Sequence, residues 1–399
     1  MISVGIDVSK GKSTVCIMKP GGEVLSAPFE ITHTKSELLD LINIIKSQNE
    51  EVRVVMEDTG HYHLPVATLL VDNDIFVCSV NALRMKKYCS QSIRRAKTDK
   101  IDSVHIASYG IAYWNELQPI PCSDDIYKEL QLLARQYYQS VALLVKAKVN
   151  FSNLLDRVMP NIQSIITDNS SNSKLTDFVA RYWHFSRILE MGEKRFISDY
   201  CKWAKKKGYR MCERNAKEIF ALAQNGIPVL PSSQSTKIVI TEAVRVIHEL
   251  ESSRDTILAQ MQSFAKTLPE YSVVREMPCI GDVLAPRIIA EIGDVRRFKN
   301  KHSLIAYAGI DAPPYQSRTF EAKKRNISKR GSPFLRKTLF QIMKTYLQHA
   351  PVNEPMYQFL DRKRSEGKNY YVYMMAGANK FLRIYYASVK AYLDSLEHD

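Results

Sequence analysis

The segment ISVGIDV at residues 2–8 has apolar residues at every second position, which is the period of a β-strand with one buried face. The segments STVCIMK and EVLSAPFEI, on either side of the Gly21 and Gly22 turn, extend this pattern as hairpin-like strands. Two further strands, VRVVME and DIFVCSV, and two helices, KSELLDLINIIKSQ and one around HLPVATLLVDN, are expected after them. Antiparallel strands followed by strand–helix alternation predict a mixed α/β layer fold for residues 1–125.

Residues 126–268 have an almost wholly helical pattern. Apolar residues keep helical spacing from Tyr127 to Val158, and a second long helix is expected from about Ser233 to Leu268. A smaller helical module and the polar loop ITDNSSNSK lie between them. The two long helices could form an antiparallel pair, bring two subunits together, or belong to an ordinary helical subdomain.

Residues 269–399 concentrate Gly, Pro and basic residues between helices, which predicts a compact, helical, DNA-facing domain. The expected fold class is therefore α/β plus all-α, with three domains at 1–125, 126–268 and 269–399. The whole chain is basic, with 56 Lys and Arg against 42 Asp and Glu and a formal net charge of +14. Such an excess favours a polyanionic partner, because basic side chains release counterions from phosphates.

The cysteines and the apolar runs indicate in which cellular compartment the protein is expected. Seven scattered cysteines without a CxxC pair argue against a disulfide framework or a zinc site, and for a reducing compartment. No apolar run reaches membrane-spanning length, and the N-terminus lacks the layout of a signal peptide. We therefore expect a cytoplasmic protein without a membrane partner.

Four acidic residues occupy positions suited to metal binding. Asp7 lies at the end of the first strand on the face opposite its apolar residues, and Glu57 ends the strand VRVVME. Asp99 and Asp102 begin a helix at positions i and i+3, on one helical face. Such carboxylates could clamp two Mg²⁺ (or Mn²⁺) ions around a phosphodiester. Each acid alone is also explained as a turn or helix N-terminal residue, but together, in a basic α/β protein, they favour the metal site.

The segments GIDVSK, MEDTGHY and KTDKIDS closely resemble the RuvC-like, RNase H-type N-terminal domain of the insertion-sequence 110 family of transposases. These are the DEDD recombinases that include the Piv-type invertases. The resemblance implies that the four acids named above are the family's metal ligands. His61 and His63 form an HxH pair beside Glu57, which we interpret as local structure or phosphate contacts because Mg²⁺ prefers oxygen ligands.

The segment beginning MPCIGDVLAPRIIAEIGDV resembles the start of the family's C-terminal transposase domain. Its opening is similar to a helix–hairpin–helix turn that binds phosphate through backbone N–H groups, although a plain αα-hairpin is equally consistent. Cys279 stands where the family usually has the first glycine of this turn. The closing segment, EGKNYYVYMMAGANKFLRIYYASVKAYL, resembles the family's last helix, whose Tyr, Met and Leu side chains should build core.

A reactive serine is implied by the stretch AGIDAPPYQSRTF, which matches the family's stretch carrying that residue. The resemblance places it on Ser317, followed by Arg318 where members usually have glycine. An activated serine hydroxyl can attack a phosphodiester and hold the broken strand as a phosphoserine. Basic residues around the two motifs are expected to contact phosphates. They are Arg94, Arg95, Lys97, Arg318, Lys323, Lys324, Arg325, Lys329, Arg330, Arg336 and Lys337.

Three other function classes share some of these sequence features. His184 and Arg187 match the HxxR of a tyrosine recombinase, but they lie in the helical module, far along the chain from the basic C-terminal region, so this class is rejected. A RuvC-like structure-specific endonuclease that uses water would need only the four acids and is the main alternative. A non-catalytic nucleic-acid-binding protein would gain nothing from anionic groups that face phosphate.

The family resemblance also implies partners. It implies recombination of donor and target DNA in a bacterial or archaeal cell by a homo-oligomer, a dimer or a tetramer. It further implies composite active sites, in which the acids of one subunit meet the serine of another. Many members are directed by a structured bridge RNA, whereas invertases read DNA directly, and the sequence leaves both possibilities open.

Overall fold

The computed structural model describes residues 1–58, 60–90, 98–120, 125–168, 173–313 and 325–397, and the backbone of two short strands at 316–317 and 320–321. The chain divides into two compact units, Met1–Cys122 and Ser123–Asp399. A sheet with helices in the first unit and an almost wholly helical second unit confirm the predicted α/β plus all-α class. The finer division of the second unit at residue 268 stays a prediction.

In its described residues, the first unit contains five strands and four α-helices. The strands are β1 (Ile2–Val8), β2 (Lys12–Met18), β3 (Val24–Thr32), β4 (Val52–Glu57) and β5 (Val77–Val80). The helices are α1 (Lys35–Lys46), α2 (Leu64–Val71), α3 (Ala82–Cys89) and α4 (Asp99–Ala112). The strand order is β3-β2-β1-β4-β5, in which β1, β2 and β3 pair antiparallel and β1, β4 and β5 pair parallel. This mixed order is that of a RuvC-like, RNase H-type sheet.

The period-two pattern of β1 separates the two faces of this sheet. Ile2, Val4 and Ile6 pack in one core with α1 and α2, through residues such as Leu41 and Val66. The residues between them face the other way, where α4 covers the sheet. The strand therefore buries an apolar face on one side and presents small and acidic residues on the other.

The second unit is built from helices and one small hairpin. Its first six helices are α5 (Asp125–Val158), α6 (Lys174–Tyr182), α7 (Phe185–Met191), α8 (Glu193–Lys206), α9 (Glu213–Asn225) and α10 (Gln234–Lys266). The later elements are α11 (Tyr271–Glu276), α12 (Leu284–Ile292), α13 (Lys301–Ala308), β6 (Gln316–Ser317), β7 (Phe320–Glu321), α14 (Pro333–His349), α15 (Pro355–Ser365) and α16 (Tyr370–Ser395).

The long helices α5 and α10 pair with each other along their length. Leu130 shares a core with Met261, whereas Phe151 shares a second core with Val244, so the two helices run antiparallel. Of the arrangements that the sequence left open, the antiparallel pair within one chain is the one that these two helices adopt. The module α6–α9 closes one end of the pair, and α11–α16 close the other.

The closing helix α16 supplies core to the second unit, as its sequence predicts. Met374, Leu382 and Tyr385 are fully buried among residues of α12 and α14. Gly377 lets α15 approach closely, since an added Cβ would lie 2.4 Å from a methyl carbon of Leu360. Within the described ranges, no helix is both long and apolar enough to cross a membrane.

Candidate active site

Two of the predicted acids end neighbouring parallel strands. In the register of β1 and β4, Gly5 pairs with Val55 and Ile6 with Met56, so Asp7 and Glu57 are the next residues on each strand. Because parallel strands end at the same edge of a sheet, the two acids lie side by side at that edge. Each is partly buried, at a position where a carboxylate can still reach solvent or a ligand.

Helix α4 brings the other two acids to the same edge. A Cβ on Gly110 would lie 2.1 Å from the Ser3 hydroxyl, and one on Gly5 would lie 2.3 Å from the Ala107 backbone nitrogen. Later residues of β1 therefore contact earlier residues of α4. Asp7 is the next residue on this face of β1, so it lies toward the first turn of α4. That turn begins at Asp99 and contains Asp102, and it is capped by the Thr98 hydroxyl, which accepts a hydrogen bond from Ile101 N at 3.2 Å.

The end of α3 forms a further wall of this edge. Burial raises the pKa of the Cys89 thiol, and the nearby carboxylates of Asp102 and Glu57 raise it further. The Cys89 thiol is thus close enough to interact electrostatically with both Asp102 of α4 and Glu57 of β4. No sequence pattern indicates this proximity, because Cys89 lies in a segment without a recognisable motif.

The oxygen-only donor set of the four acids fits a hard divalent cation. Among the residues that the structure describes, however, no three His, Cys, Asp or Glu side chains stand close enough together to hold an ion. The carboxylates thus share an edge without forming one ligand cluster, and ion binding would have to draw them together. His63 is buried, with its Nδ1 3.8 Å from Asp58 Oδ1, and burial lowers its pKa, as expected for a local structural role.

The predicted serine lies on a short hairpin in the second unit. The backbone of Ser317 in β6 pairs with Phe320 in β7. The base of this segment is closed by Ser328, whose backbone N–H donates to Asp311 O at 2.8 Å and whose hydroxyl donates to the Asp311 carboxylate. The two ends of the segment that carries the serine are therefore held together at Asp311 and Ser328.

Two glycines let this loop return closely to the end of α13. A Cβ on Gly331 would lie 1.8 Å from the Tyr307 carbonyl oxygen, and Gly309 adopts a left-handed conformation with φ +66°. Arg336 braces the same crossing, because its Nη1 donates to Ala308 O at 3.1 Å and to Gly331 O at 2.9 Å. No local sequence pattern indicates the role of these glycines, since their partners are distant in sequence.

The predicted phosphate-contacting residues divide into two groups. Burial lowers the pKa values of Arg336 and Lys337. Arg336 supports the base of the loop, whereas the Lys337 ammonium lies 4.8 Å from the centre of the Tyr138 ring on α5. Arg325, Lys329 and Arg330 are exposed. The remaining ones lie outside the described residues: Arg94, Arg95, Lys97, Arg318, Lys323 and Lys324.

Buried polar residues anchor the loop to the core. Glu291 on α12 is fully buried and accepts a hydrogen bond from the Ser332 hydroxyl at 2.8 Å, and burial raises its pKa. Arg287, also buried, donates to the Tyr138 hydroxyl at 2.8 Å. An arginine and a glutamate inside the apolar stretch PRIIAEI were the available signal for such a buried polar network.

The predicted hairpin turn links α11 and α12. Cys279 in this turn adopts the left-handed conformation, with φ +62°, that glycine usually supplies. The conformation is therefore present despite the departure in residue type, while phosphate binding by the turn stays a prediction. His184 caps α7 with its Nδ1, which accepts from Ser186 N at 3.0 Å, and this structural role agrees with the rejection of a tyrosine recombinase.

A RuvC-like sheet with acids at its carboxyl edge, joined to a helical unit, defines a DNA-cutting recombinase of the RNase H-type class. Two family profiles match the chain: the DEDD-type IS110 profile, described as "Transposase", over residues 4–160, and "Transposase IS116/IS110/IS902 family" over residues 271–358. The chain belongs to the IS110 family of transposases. Family and fold together imply DNA as a partner and dependence on a divalent metal.

Curated relatives cover most of the chain. The IS110 43.6 kDa protein of Streptomyces coelicolor is 20% identical over 98% of this chain and 94% of its own length. The IS116 44.8 kDa protein of Streptomyces clavuligerus is 22% identical over 79% of this chain and 77% of its own length.

Solved structures of Thermus thermophilus RuvC also match. RuvC alone aligns with 11% identity and a TM-score of 0.25, covering 30% of this chain and 100% of RuvC. RuvC in complex with a Holliday junction substrate aligns with 10% identity and a TM-score of 0.24, covering 30% of this chain and 99% of that chain. At these TM-scores the alignments add nothing to the fold assignment, which rests on the strand order and the family.

Proposed function

We propose that this transposase breaks and rejoins DNA with a site made of two parts. Asp7, Glu57, Asp99 and Asp102 hold Mg²⁺ or Mn²⁺, and Ser317 is the nucleophile. The observation that carries the metal part is the meeting of two adjacent strand ends with the first turn of α4. Bound there, the metal would stabilise charge on the oxygens around phosphorus.

The reaction of Ser317 with DNA needs no added co-reactant. The Ser317 hydroxyl oxygen forms a bond to phosphorus as it loses its proton, the bond from phosphorus to the leaving deoxyribose oxygen breaks, and that oxygen takes up a proton. Rejoining is the reverse reaction with the hydroxyl of another strand. Because the phosphoserine ester preserves the phosphodiester's energy, exchange of strands needs no external energy source. Attack by water would lose that energy and leave a cut strand.

The loop geometry supports a positioned nucleophile. The closure of residues 311–328 by Asp311 and Ser328, together with the close crossing at Gly331, fixes where the loop leaves the helical core. A nucleophile must be held within a narrow geometry, since a misplacement of about 1 Å can cost about 100-fold in rate.

Trapping the covalent intermediate tests this proposal. With a donor-end DNA substrate that carries a nick beside the scissile bond, the wild-type chain should accumulate an adduct that survives denaturing electrophoresis. Ser317→Ala and Asp102→Asn should both abolish the adduct, whereas Ser395→Ala, a control at an exposed position of the same unit, should not. Cleavage by Ser317→Ala with release of free ends would instead identify a RuvC-like endonuclease that uses water.

We extend the proposal to a homo-oligomer with composite sites. Exposed apolar residues on the long helices support it, because Leu132, Val145 and Val149 of α5 are 70%, 56% and 57% exposed and the last two share a helical face. Mixing Ser317→Ala with Asp102→Asn subunits should restore part of the recombination if acids and serine act from different subunits. Light scattering of Val145→Glu should show a smaller assembly, and an unchanged mass would count against this interface.

We also propose a bridge-type guide RNA as a partner. The family resemblance and the net charge of +14 support it, since a guide would add a second polyanion to the DNA. Sequencing of nucleic acid that co-purifies after expression with the flanking DNA tests this. Recovery of one structured RNA from the element supports guidance, whereas efficient recombination after RNase treatment would support direct reading of DNA.

A further inference from the structure

The second unit contains an open cavity of about 990 Å³ beside the loop that carries Ser317. Two of its walls are helices α15 and α16. The third wall is the chain on either side of the loop, since Ile310 and Ala312 come before the hairpin and Arg325 and Ile327 come after it. Anything bound in this cavity therefore lies against the base of the loop.

The charge of the cavity selects an anion. Five cationic side chains line it: Arg325, Lys329, Arg362, Lys380 and Arg383. Among the described residues that line it, none is acidic. Glu366, an acid that pairs with Arg362 at 4.0 Å, lies outside the lining. Like charges gathered in one concavity repel one another, and phosphate groups would relieve that repulsion.

The aromatic residues of the cavity select a base as well as a phosphate. Tyr371 is 67% exposed at the start of α16, and its ring stacks on Phe340 with an interplanar angle of 27°. Phe359 lies under two of the cations, with its centre 4.8 Å from the Lys380 ammonium and 5.6 Å from the Arg362 guanidinium. Exposed aromatic rings beside cations are the combination that binds single strands, because bases stack on the rings while cations follow the backbone.

We propose that this cavity binds an unpaired DNA nucleotide next to the phosphodiester that Ser317 attacks. The position beside the loop points to the strand that undergoes cleavage, and this step rests on the function proposed above. The bases of an intact duplex are stacked on each other, so only an unpaired base can use the Tyr371 ring. Amide groups of Asn326 and Asn379 also line the cavity and can hydrogen-bond to base edges.

Binding of a short single strand to the full-length chain tests the inference. The probe is a fluorescein-labelled oligothymidylate of about 12 nucleotides, within the usual site size, followed by anisotropy in EDTA so that no cleavage occurs. Tyr371→Ala should weaken binding by about tenfold, the scale of one lost stacking contact. Tyr371→Phe should bind like the wild type, and Arg383→Ala should also weaken binding.

Matched controls separate the cavity from general electrostatics. Arg214→Ala removes another exposed arginine, on α9, and should leave the affinity for the oligothymidylate unchanged. Affinity for a blunt-ended DNA duplex formed from two strands should be unaffected by Tyr371→Ala. Equal loss of single-strand and duplex binding in Tyr371→Ala, or no loss of either, would overturn the inference. Tighter binding of oligouridylate than of oligothymidylate, lost in Tyr371→Ala, would overturn the assignment to DNA.

The variants Tyr371→Ala and Ser317→Ala test nucleotide binding by the cavity and serine chemistry separately. Ser317→Ala should bind the oligothymidylate as the wild type does, because binding needs no nucleophile. If Tyr371→Ala binds normally while Ser317→Ala loses the covalent adduct, the cavity assignment is wrong and the serine chemistry stands. If Tyr371→Ala loses binding while Ser317→Ala still forms an adduct, the cavity stands and the serine assignment is wrong. Photo-crosslinking of a strand containing 5-iododeoxyuridine should label Tyr371 or Phe359, and labels only elsewhere would overturn the inference.

Discussion

Gly5 of β1 packs directly against the backbone of Ala107 in α4, with space for no side chain between them. An added Cβ at Gly5 would lie 2.3 Å from the Ala107 nitrogen and 2.4 Å from the Ser103 carbonyl oxygen. This approach fixes the height of α4 above the sheet. Because Asp99 and Asp102 lie on the first turn of α4, the same approach sets their distance from Asp7.

Gly5→Ala should therefore harm both stability and catalysis. The new methyl group meets backbone atoms rather than a flexible side chain, so α4 has to shift, and overpacking of this kind costs about 1–3 kcal/mol. A shift of about 1 Å in two ligand-bearing positions should lower adduct formation by about 100-fold. Thermal unfolding and the adduct assay measure the two effects.

The control for this substitution is Gly281→Ala. A Cβ at Gly281 would meet nothing within 4 Å, so the melting temperature of this variant should stay at that of the wild type. Equal melting temperatures for Gly5→Ala and the wild type would show that α4 does not depend on this contact.

Removal of one carboxylate or of the metal should stop DNA cleavage. Asp102→Asn keeps the size of the side chain but removes a charge, and we expect a loss of about two orders of magnitude or more, the scale of one catalytic electrostatic contact. EDTA should abolish cleavage by the wild type, and Mg²⁺ or Mn²⁺ should restore it. Asp40→Asn, at an exposed position of α1, is the matched control. Cleavage in EDTA, or full activity of Asp102→Asn, would contradict the metal site.

The placement of the four acids in the fold could be predicted from sequence because it follows local rules. A period-two strand puts Asp7 on the face opposite Ile6, and spacing i, i+3 puts Asp99 and Asp102 on one face of a helix. The close packing of Gly5 on Ala107 could not be predicted, since it joins residues about a hundred positions apart. Likewise, burial of Glu291 beside Ser332 depends on the packing of two helices, and a local pattern carries no information about it.

Ser317, unlike the four acids, could not be assigned from any local sequence pattern. Its assignment came from family resemblance, because a loop serine has no periodicity or spacing that distinguishes it from other loop serines. The closure of its loop by Asp311 and Ser328 joins residues 17 apart through one side chain and one backbone contact, which no sequence pattern indicates. The structure therefore shows how the loop is held at its base, whereas the choice of Ser317 as the nucleophile rests on the family resemblance.

Ser328→Ala should weaken the support of this loop while leaving the fold intact. The substitution removes the hydroxyl that donates to the Asp311 carboxylate but keeps the 2.8 Å backbone hydrogen bond to Asp311 O. We expect a loss of stability of about 1 kcal/mol, typical of one such hydrogen bond. The rate of adduct formation should fall while affinity for donor DNA stays unchanged. Ser395→Ala, which removes a hydroxyl bonded to Tyr392 O at 2.7 Å, should change neither rate nor affinity. A normal rate for Ser328→Ala would show that the backbone contact alone holds the loop.

The buried pair of Tyr127 and Glu270 should give the second unit a pH-dependent stability. The Tyr127 hydroxyl donates to Glu270 Oε1 at 2.7 Å, and burial raises the pKa of Glu270 above its ordinary value of 4.5. A raised pKa means that the native state binds the proton more tightly than the unfolded state does. The unfolding free energy should therefore fall as pH rises from about 4.5 through the native pKa.

Glu270→Gln removes this titration and keeps an oxygen that can accept from Tyr127. Between the ordinary carboxyl pKa and neutral pH, its unfolding free energy should fall less with pH than that of the wild type. At neutral pH the variant should be at least as stable, because burial disfavours the charged form that glutamine cannot adopt. Urea unfolding followed by circular dichroism across this window measures both curves. Glu276→Gln, an exposed glutamate on α11, should follow the wild-type curve. If Glu270→Gln also follows it, Glu270 is not the group that couples proton binding to folding.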